Sequence, residues 1–173
     1  AGPGRPEATS RDNEAAEGDS VMDGRVEAIW LKRSHGGVMD AVDEATAVQG
    51  RGLEGDAHFG RGRQVTVIER ETFERIGEEL PGARPVMRRA NLMVSGVGLE
   101  GTRDRVLAVG EARILVRGET RPCNLMDEQC PGLRSALGLH WGGGVHGSVL
   151  RGGAVRVGDP VSIEEMAART ATR

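Results

Sequence analysis

The sequence contains no tyrosine, and its aromatic residues amount to 2%: Trp30, Trp141, Phe59 and Phe73. Platforms that stack single-stranded nucleic acid need several exposed rings, so nucleic acid is not an expected partner. The net charge of −3 argues the same way. Lysine is nearly absent: 22 of the 23 basic residues are arginines and the other is Lys32, a bias of the kind that genome composition produces. Two cysteines, Cys123 and Cys130, are too few for a disulfide framework. No stretch approaches the ~18 consecutive apolar residues of a membrane-spanning helix, so no membrane association is expected. No charged leader followed by an apolar run opens the sequence, and a cytoplasmic setting is the resulting expectation.

What is present is glycine, 27 residues in 173, placed mostly at turns and in no Gly-X-Y period. A chain of 18.4 kDa suits one domain with its own core. Residues 1–22 hold Pro, Gly, Ser, Ala and acidic side chains with almost no large hydrophobe, and read as a flexible head. The domain is expected over 23–164, and 165–173 reads as a tail, either a frayed helix or disordered. Extended segments are expected at 25–33, 38–48, 64–68, 91–95, 105–109, 112–117, 145–150, 154–157 and 161–163. The 25–33 strand, apolar on both faces, should be central. Phe73, Ile76 and Leu80 recur at helical intervals and predict a helix over 69–80. Pro131 to Gly138 predicts a second, shorter one, and Gly152-Gly153 signals a hairpin. The expected fold class is mainly β with a few short helices (α+β). About eight short strands joined by tight turns usually close into a barrel or a sandwich.

Chemistry-bearing residues cluster in three arginine-rich loops. Gly50 to Gly62 spans 13 residues, long enough to suspect function. It carries Asp56 and His58 among small residues, with Arg61 and Arg63 able to hold an anion. A Walker loop is excluded, because its lysine and the following Ser or Thr are missing; a solvated charged loop is the plain alternative. Arg88-Arg89-Ala90-Asn91 pairs two guanidiniums with an amide, which could read a phosphate or a heterocycle edge. Thr120-Arg121-Pro122-Cys123 places a cysteine beside an arginine, a field that favours thiolate, the nucleophilic and soft-metal-binding form. Simple packing of Cys123 as a small hydrophobe competes with that reading. Cys130 fits neither Cys-x-x-Cys nor a zinc ribbon and is expected to be structural. The loops matter only if they converge.

Taken in order, Gly-Leu-Glu-Gly-Asp, an Arg-Gln-Val strand, Arg-Arg-Ala-Asn with Ser-Gly-Val, Thr-Arg-Pro-Cys and the final Gly-Gly-Ala-Val-Arg-Val-Gly-Asp-Pro-Val resemble the MOSC domain. That family is named for the C-terminal domain of molybdenum cofactor sulfurases, and the resemblance covers roughly residues 24–163. It implies a closed or partly open barrel of MOSC type. It also implies a signature cysteine, Cys123, that serves as a thiolate ligand of molybdenum or as a persulfide sulfur carrier. By motif position it implies a molybdenum cofactor bound near Asp56, His58, Arg61, Arg63, Arg88, Arg89, Asn91, Thr120 and Arg121. Two catalytic readings follow, oxo transfer that reduces N-hydroxylated compounds and sulfur transfer through Cys123. A third is a cofactor-binding module without turnover. The sequence shows neither a ferredoxin-like cysteine cluster nor a Gly-x-Gly-x-x-Gly loop. A separate reductase or a pyridoxal-phosphate-dependent cysteine desulfurase is therefore the implied partner. No internal pyridoxal phosphate is expected, since Lys32 is the sole lysine.

Overall fold

The computed structural model describes residues 24–166; the expected head at 1–22, and the tail from 167 onward, lie outside the described residues. The chain runs β1 (Gly24–Lys32), β2 (Met39–Val42), β3 (Glu44–Val48), β4 (Gly52–Leu53), β5 (Val65–Glu69) and α1 (Arg70–Glu79). It continues through a 3-10 turn (Pro85–Arg88), β6 (Leu92–Ser95), β7 (Val106–Val109), β8 (Ala112–Glu119), α2 (Leu125–Gln129) and α3 (Leu133–Leu137). It ends in β9 (Val145–Arg151), β10 (Gly153–Arg156) and β11 (Pro160–Glu164).

Seven strands close into a barrel in the order β11-β7-β8-β9-β5-β6-β1, with β1 returning to β11. The seam is short: Gly24 faces Val161 and Arg25 faces Pro160. Arg25 and Ile29 both also face β6, so β11 and β2 must share the other edge of β1, with β2 taking Ile29 to Lys32. Every pairing is antiparallel except β5 with β6, whose connection runs through α1, the crossover that parallel neighbours require. Strands β10, β3 and β4 form a separate small sheet that contributes Ala45, Ala47, Leu53 and Val155 to the barrel core.

Alternation fills that core with Val65 and Val67, Leu92 and Val94, Leu107 and Val109, Ile114 and Val116, and Val145 and Val149. The outward side of β1, β5 and β6 is covered by a helical layer. Ile68, Phe73, Ile76, Ala90, Met126, Cys130, Leu133 and Leu137 are buried there, with Trp30 and Met93 packed against them.

Several expectations are corrected. The described residues hold eleven strands: the weak run at 38–48 splits at Asp43 into strands of different sheets, and β4 forms inside the 50–62 loop, where no strand is expected. Strict alternation along β1 would group Val26 with Ala28 and Trp30, and it is not kept. A bulge between Val26 and Ala28 resets the alternation, so Val26, Ile29 and Leu31 fill the barrel while Trp30 faces the helices. Gly152-Gly153 is no hairpin: β9 pairs with β8 and β5, β10 pairs with β3, and the glycines carry the chain between sheets. The Pro131 helix starts later, at Leu133, and α2 just before it is a helix that apolar periodicity did not announce.

Candidate functional site

Lys32, Thr66 and Asn91 each adjoin a core-facing residue, Leu31, Val65 with Val67, and Leu92. Alternation therefore turns them to the outer wall of the barrel. There they line a cavity of about 250 Å³ with Asp56, His58, Arg63, Arg88, Arg89, Thr120, Arg121 and Cys123, bounded on the helix side by Leu125 and Met126. The three arginine-bearing loops thus converge between barrel wall and helical layer. Of the residues expected at the site, Arg61 alone is not brought to the cavity. It is exposed, and its N–H donates to the His58 carbonyl in a tight turn.

The cavity has an internal frame. Asp56 is 6% exposed; its Oδ1 accepts from the Lys32 N–H at 2.8 Å and from Asn91 Nδ2 at 3.0 Å, and its Oδ2 accepts from the His58 N–H at 2.9 Å. Asn91, 4% exposed, donates a second time to the Trp30 carbonyl at 3.2 Å. Its Oδ1 accepts from the N–H and hydroxyl of Thr66. With its amide donors and acceptor so engaged, Asn91 ties β1, β5 and the Asp56 loop together rather than offering an arm to a ligand. Arg88 ties the opposite side: its Nε donates to the Gly143 carbonyl at 2.9 Å and its Nη2 to the Thr120 carbonyl at 3.4 Å. Arg89 sits in the left-handed region at φ 59° and donates to the Gly37 carbonyl at 2.6 Å.

The cysteine loop is positioned by close backbone approach. A methyl group on Gly143 would run into the Thr120 carbonyl and meet Pro122 Cδ at 3.2 Å, so only glycine lets the 142–144 loop support Thr120 to Pro122. Met126, 1% exposed, anchors α2 into the helical layer, and its N–H donates to the Cys123 carbonyl at 3.0 Å. Cys123 is thereby left exposed at the mouth while Cys130 is buried among the helices.

The field in the cavity is positive. Burial lowers the Arg88 pKa; the Cys123 sulfur, in its anionic form, acts against this, and the Arg63 charge adds to it. Burial also lowers the Lys32 pKa, with Arg89 next and Asp56 opposing. His58 is pushed below the usual imidazole value of 6.5 by burial and then by Lys32, and His146 by burial and then by Arg63. Both imidazoles are therefore neutral at pH 7. The Thr120 hydroxyl is buried without a hydrogen-bond partner, in a residue only 4% exposed that lines the cavity. An orphaned buried hydroxyl in a cationic cavity suits a polar ligand, and the guanidiniums suit an anionic one. Among the described residues no three His, Cys, Asp or Glu side chains converge as a metal cluster. Neither Lys32 nor Thr66 was singled out from the sequence. Scarcity was the signal available for Lys32, and a polar residue alternating with buried valines for Thr66.

The described helices include none long and apolar enough to cross a membrane. Among solved structures the chain is similar to the YuaD protein from Bacillus subtilis, at 24% identity and a TM-score of 0.73, over 84% of this chain and 98% of that one. It is also similar to YiiM from Escherichia coli, at 22% identity and a TM-score of 0.62, over 83% and 71% of the two chains. YiiM from Geobacillus stearothermophilus gives 16% identity and a TM-score of 0.67, over 84% and 77%. At these identities the likeness establishes the fold. No curated protein matches. The family model described as MOSC domain matches residues 54–162, which takes in Arg61, Arg63, Arg88, Arg89, Arg121 and Cys123, and the chain therefore belongs to the MOSC domain family.

Proposed function

We propose that this chain binds a molybdenum cofactor in the cavity under the 120–123 loop, with Cys123 as the thiolate ligand, and reduces N-hydroxylated compounds by oxo transfer. The observation that carries this reading is the pairing of an unpartnered, buried Thr120 hydroxyl with five cationic side chains and one exposed sulfur on a single small cavity. The ligand such a site suits has a phosphate, hydrogen-bonding edges and a soft metal. When bound, that cofactor supplies the metal-centred oxygen chemistry.

The chain's own part is binding and orientation. Lys32, Arg63 and Arg89 neutralise phosphate charge, and Arg88 holds the 120–123 loop against Gly143. Asp56 and Asn91 keep the Lys32 strand and the His58 turn in register beneath the ligand. His58, neutral and half-buried, holds one proton and one lone pair for the ligand's hydrogen-bonding edge. Reducing a hydroxylamine group to an amine consumes an electron pair and two protons and releases water. Solvent provides the protons and a separate reductase the electrons, docking where Cys123 is exposed.

That same exposure favours a second reading, in which Cys123 accepts sulfur from a cysteine desulfurase persulfide and passes it on. Expression in a host that makes the cofactor, followed by assay of molybdenum, pterin and cyanide-labile sulfur, separates the two. Molybdenum and pterin that co-purify with wild type, lose the metal in Cys123→Ala and persist in Cys130→Ala support the cofactor reading. Cyanide-labile sulfur on Cys123 without molybdenum replaces it with the sulfur-carrier reading. Equal loss in both variants makes the cysteines a pair and overturns the assignment of Cys123 alone.

A further inference from the structure

Lys32 carries the only side-chain amine in the chain, and it stands in the cavity with Arg63, Arg88 and Arg89 rather than on open surface. Among the described residues the carboxylate acting on its charge is Asp56. That carboxylate is already committed to the backbone N–H groups of Lys32 and His58 and to the Asn91 amide. The other charged or titratable groups on the cavity are Arg88 and Arg89 at the end of the 3-10 turn, Arg63 and neutral His58 of the β4–β5 loop, and Arg121 and Cys123 of the 120–123 loop. Burial, Arg89 and Arg88 all disfavour the ammonium against the weaker pull of Asp56, so the free amine is more populated than on an exposed lysine. A free amine beside guanidiniums that can hold a phosphate is an arrangement for capturing a carbonyl that brings its own anion.

We propose that Lys32 is a covalent binding site for phosphorylated aldehydes, which the flanking arginines seat so that the amine closes a reversible imine. The Nζ lone pair attacks the aldehyde carbon and a C–N bond forms. The carbonyl oxygen then leaves as water with the two amine protons, and no oxidant or reductant is required. The site owes nothing to bound molybdenum, so this inference goes beyond the cofactor reading and stands independently of it. Its consequence is regulatory: an aldehyde on Lys32 fills the cavity and excludes any other phosphorylated ligand.

Pyridoxal 5′-phosphate, used purely as a coloured phosphorylated aldehyde, is the probe. The full chain is incubated with it, the imine is trapped with borohydride, and peptides are mapped by mass spectrometry. An adduct on Lys32 is expected, mapped apart from any on the α-amino terminus, with an apparent affinity roughly tenfold or more above that of pyridoxal, which lacks the phosphate and its charge-assisted hydrogen bonds. Lys32→Arg, which keeps the charge, should abolish the adduct while retaining the wild-type circular dichroism spectrum. Arg89→Ala should weaken capture without moving the adduct. The rate of capture should rise with pH around a midpoint below the ordinary lysine value. No adduct on Lys32 at saturating probe, labelling of the α-amino terminus alone, or equal capture of pyridoxal and its phosphate by Lys32 overturns the proposal. Molybdenum retained by Lys32→Arg would leave the cofactor reading intact whatever the labelling result.

Discussion

Cys123 and Cys130 are seven residues apart and chemically identical, yet only the first can meet a reactant, because α2 turns between them and buries the second with Leu133 and Leu137. Single side chains elsewhere are decided as sharply by their surroundings. Burial holds the Glu69 carboxyl above the ordinary carboxylate range, against weaker opposing hydrogen bonds from the Leu99 N–H and the Thr72 hydroxyl. A carboxyl with a raised folded-state pKa binds its proton more tightly in the native than in the unfolded chain. Its contribution to stability therefore grows as pH falls from neutrality through the folded value, and levels off below the unfolded value. Glu69→Gln keeps an oxygen for the Leu99 N–H and can donate to Thr72, so it should fold. Its urea midpoint relative to wild type should be highest at neutral pH and decline as the solution approaches the ordinary carboxylate value. A difference that is flat with pH would mean that Glu69 pays no ionic cost in the fold.

Short segments owe their positions to neighbours far off in sequence. The Thr120–Pro122 segment rests on the 142–144 glycines, and the space is so close that Gly143→Ala has to displace the Thr120 carbonyl or the Pro122 ring. Overpacking of this kind costs about 1–3 kcal/mol. Gly143→Ala should lower the thermal midpoint and also weaken ligand binding at the cavity, since the same shift moves Thr120 and Cys123. Loss of stability with unchanged binding would detach the loop from the site. Much of the element pattern is legible in the sequence: α1 from Phe73 and Ile76, and the β7–β8 hairpin from Gly110-Glu111, which pairs Val109 with Ala112. Helix α2 is not legible, because a five-residue helix with one buried side chain, Met126, has too few turns to print a period. The bulge in β1 is equally silent, since an extra residue alters the pairing without altering the composition.

Closure is a property of the whole barrel and depends on a seam of two residue pairs between β1 and β11. At that seam a Cβ on Gly24 would strike the Val161 carbonyl and lie 2.7 Å from Val97. Gly24→Val should therefore destabilise the barrel by about 1–3 kcal/mol, read as a lower denaturant midpoint, with early amide exchange along β11. An unchanged midpoint would show that the seam is not needed for closure. The residue types at the cavity could be read from the chain, because arginine, threonine and cysteine in three loops are chemistry that a linear pattern displays. So could the strand-rich class, because turn glycines and alternating valines are local signals. Convergence of those loops could not. It follows from a parallel β5–β6 pair, an outward-facing wall and a helical layer that together select Lys32 and Thr66 and leave Arg61 outside. Local order along a chain carries residue character and period, whereas distance between loops depends on which strands pair and in what register, and that is decided only when the core closes.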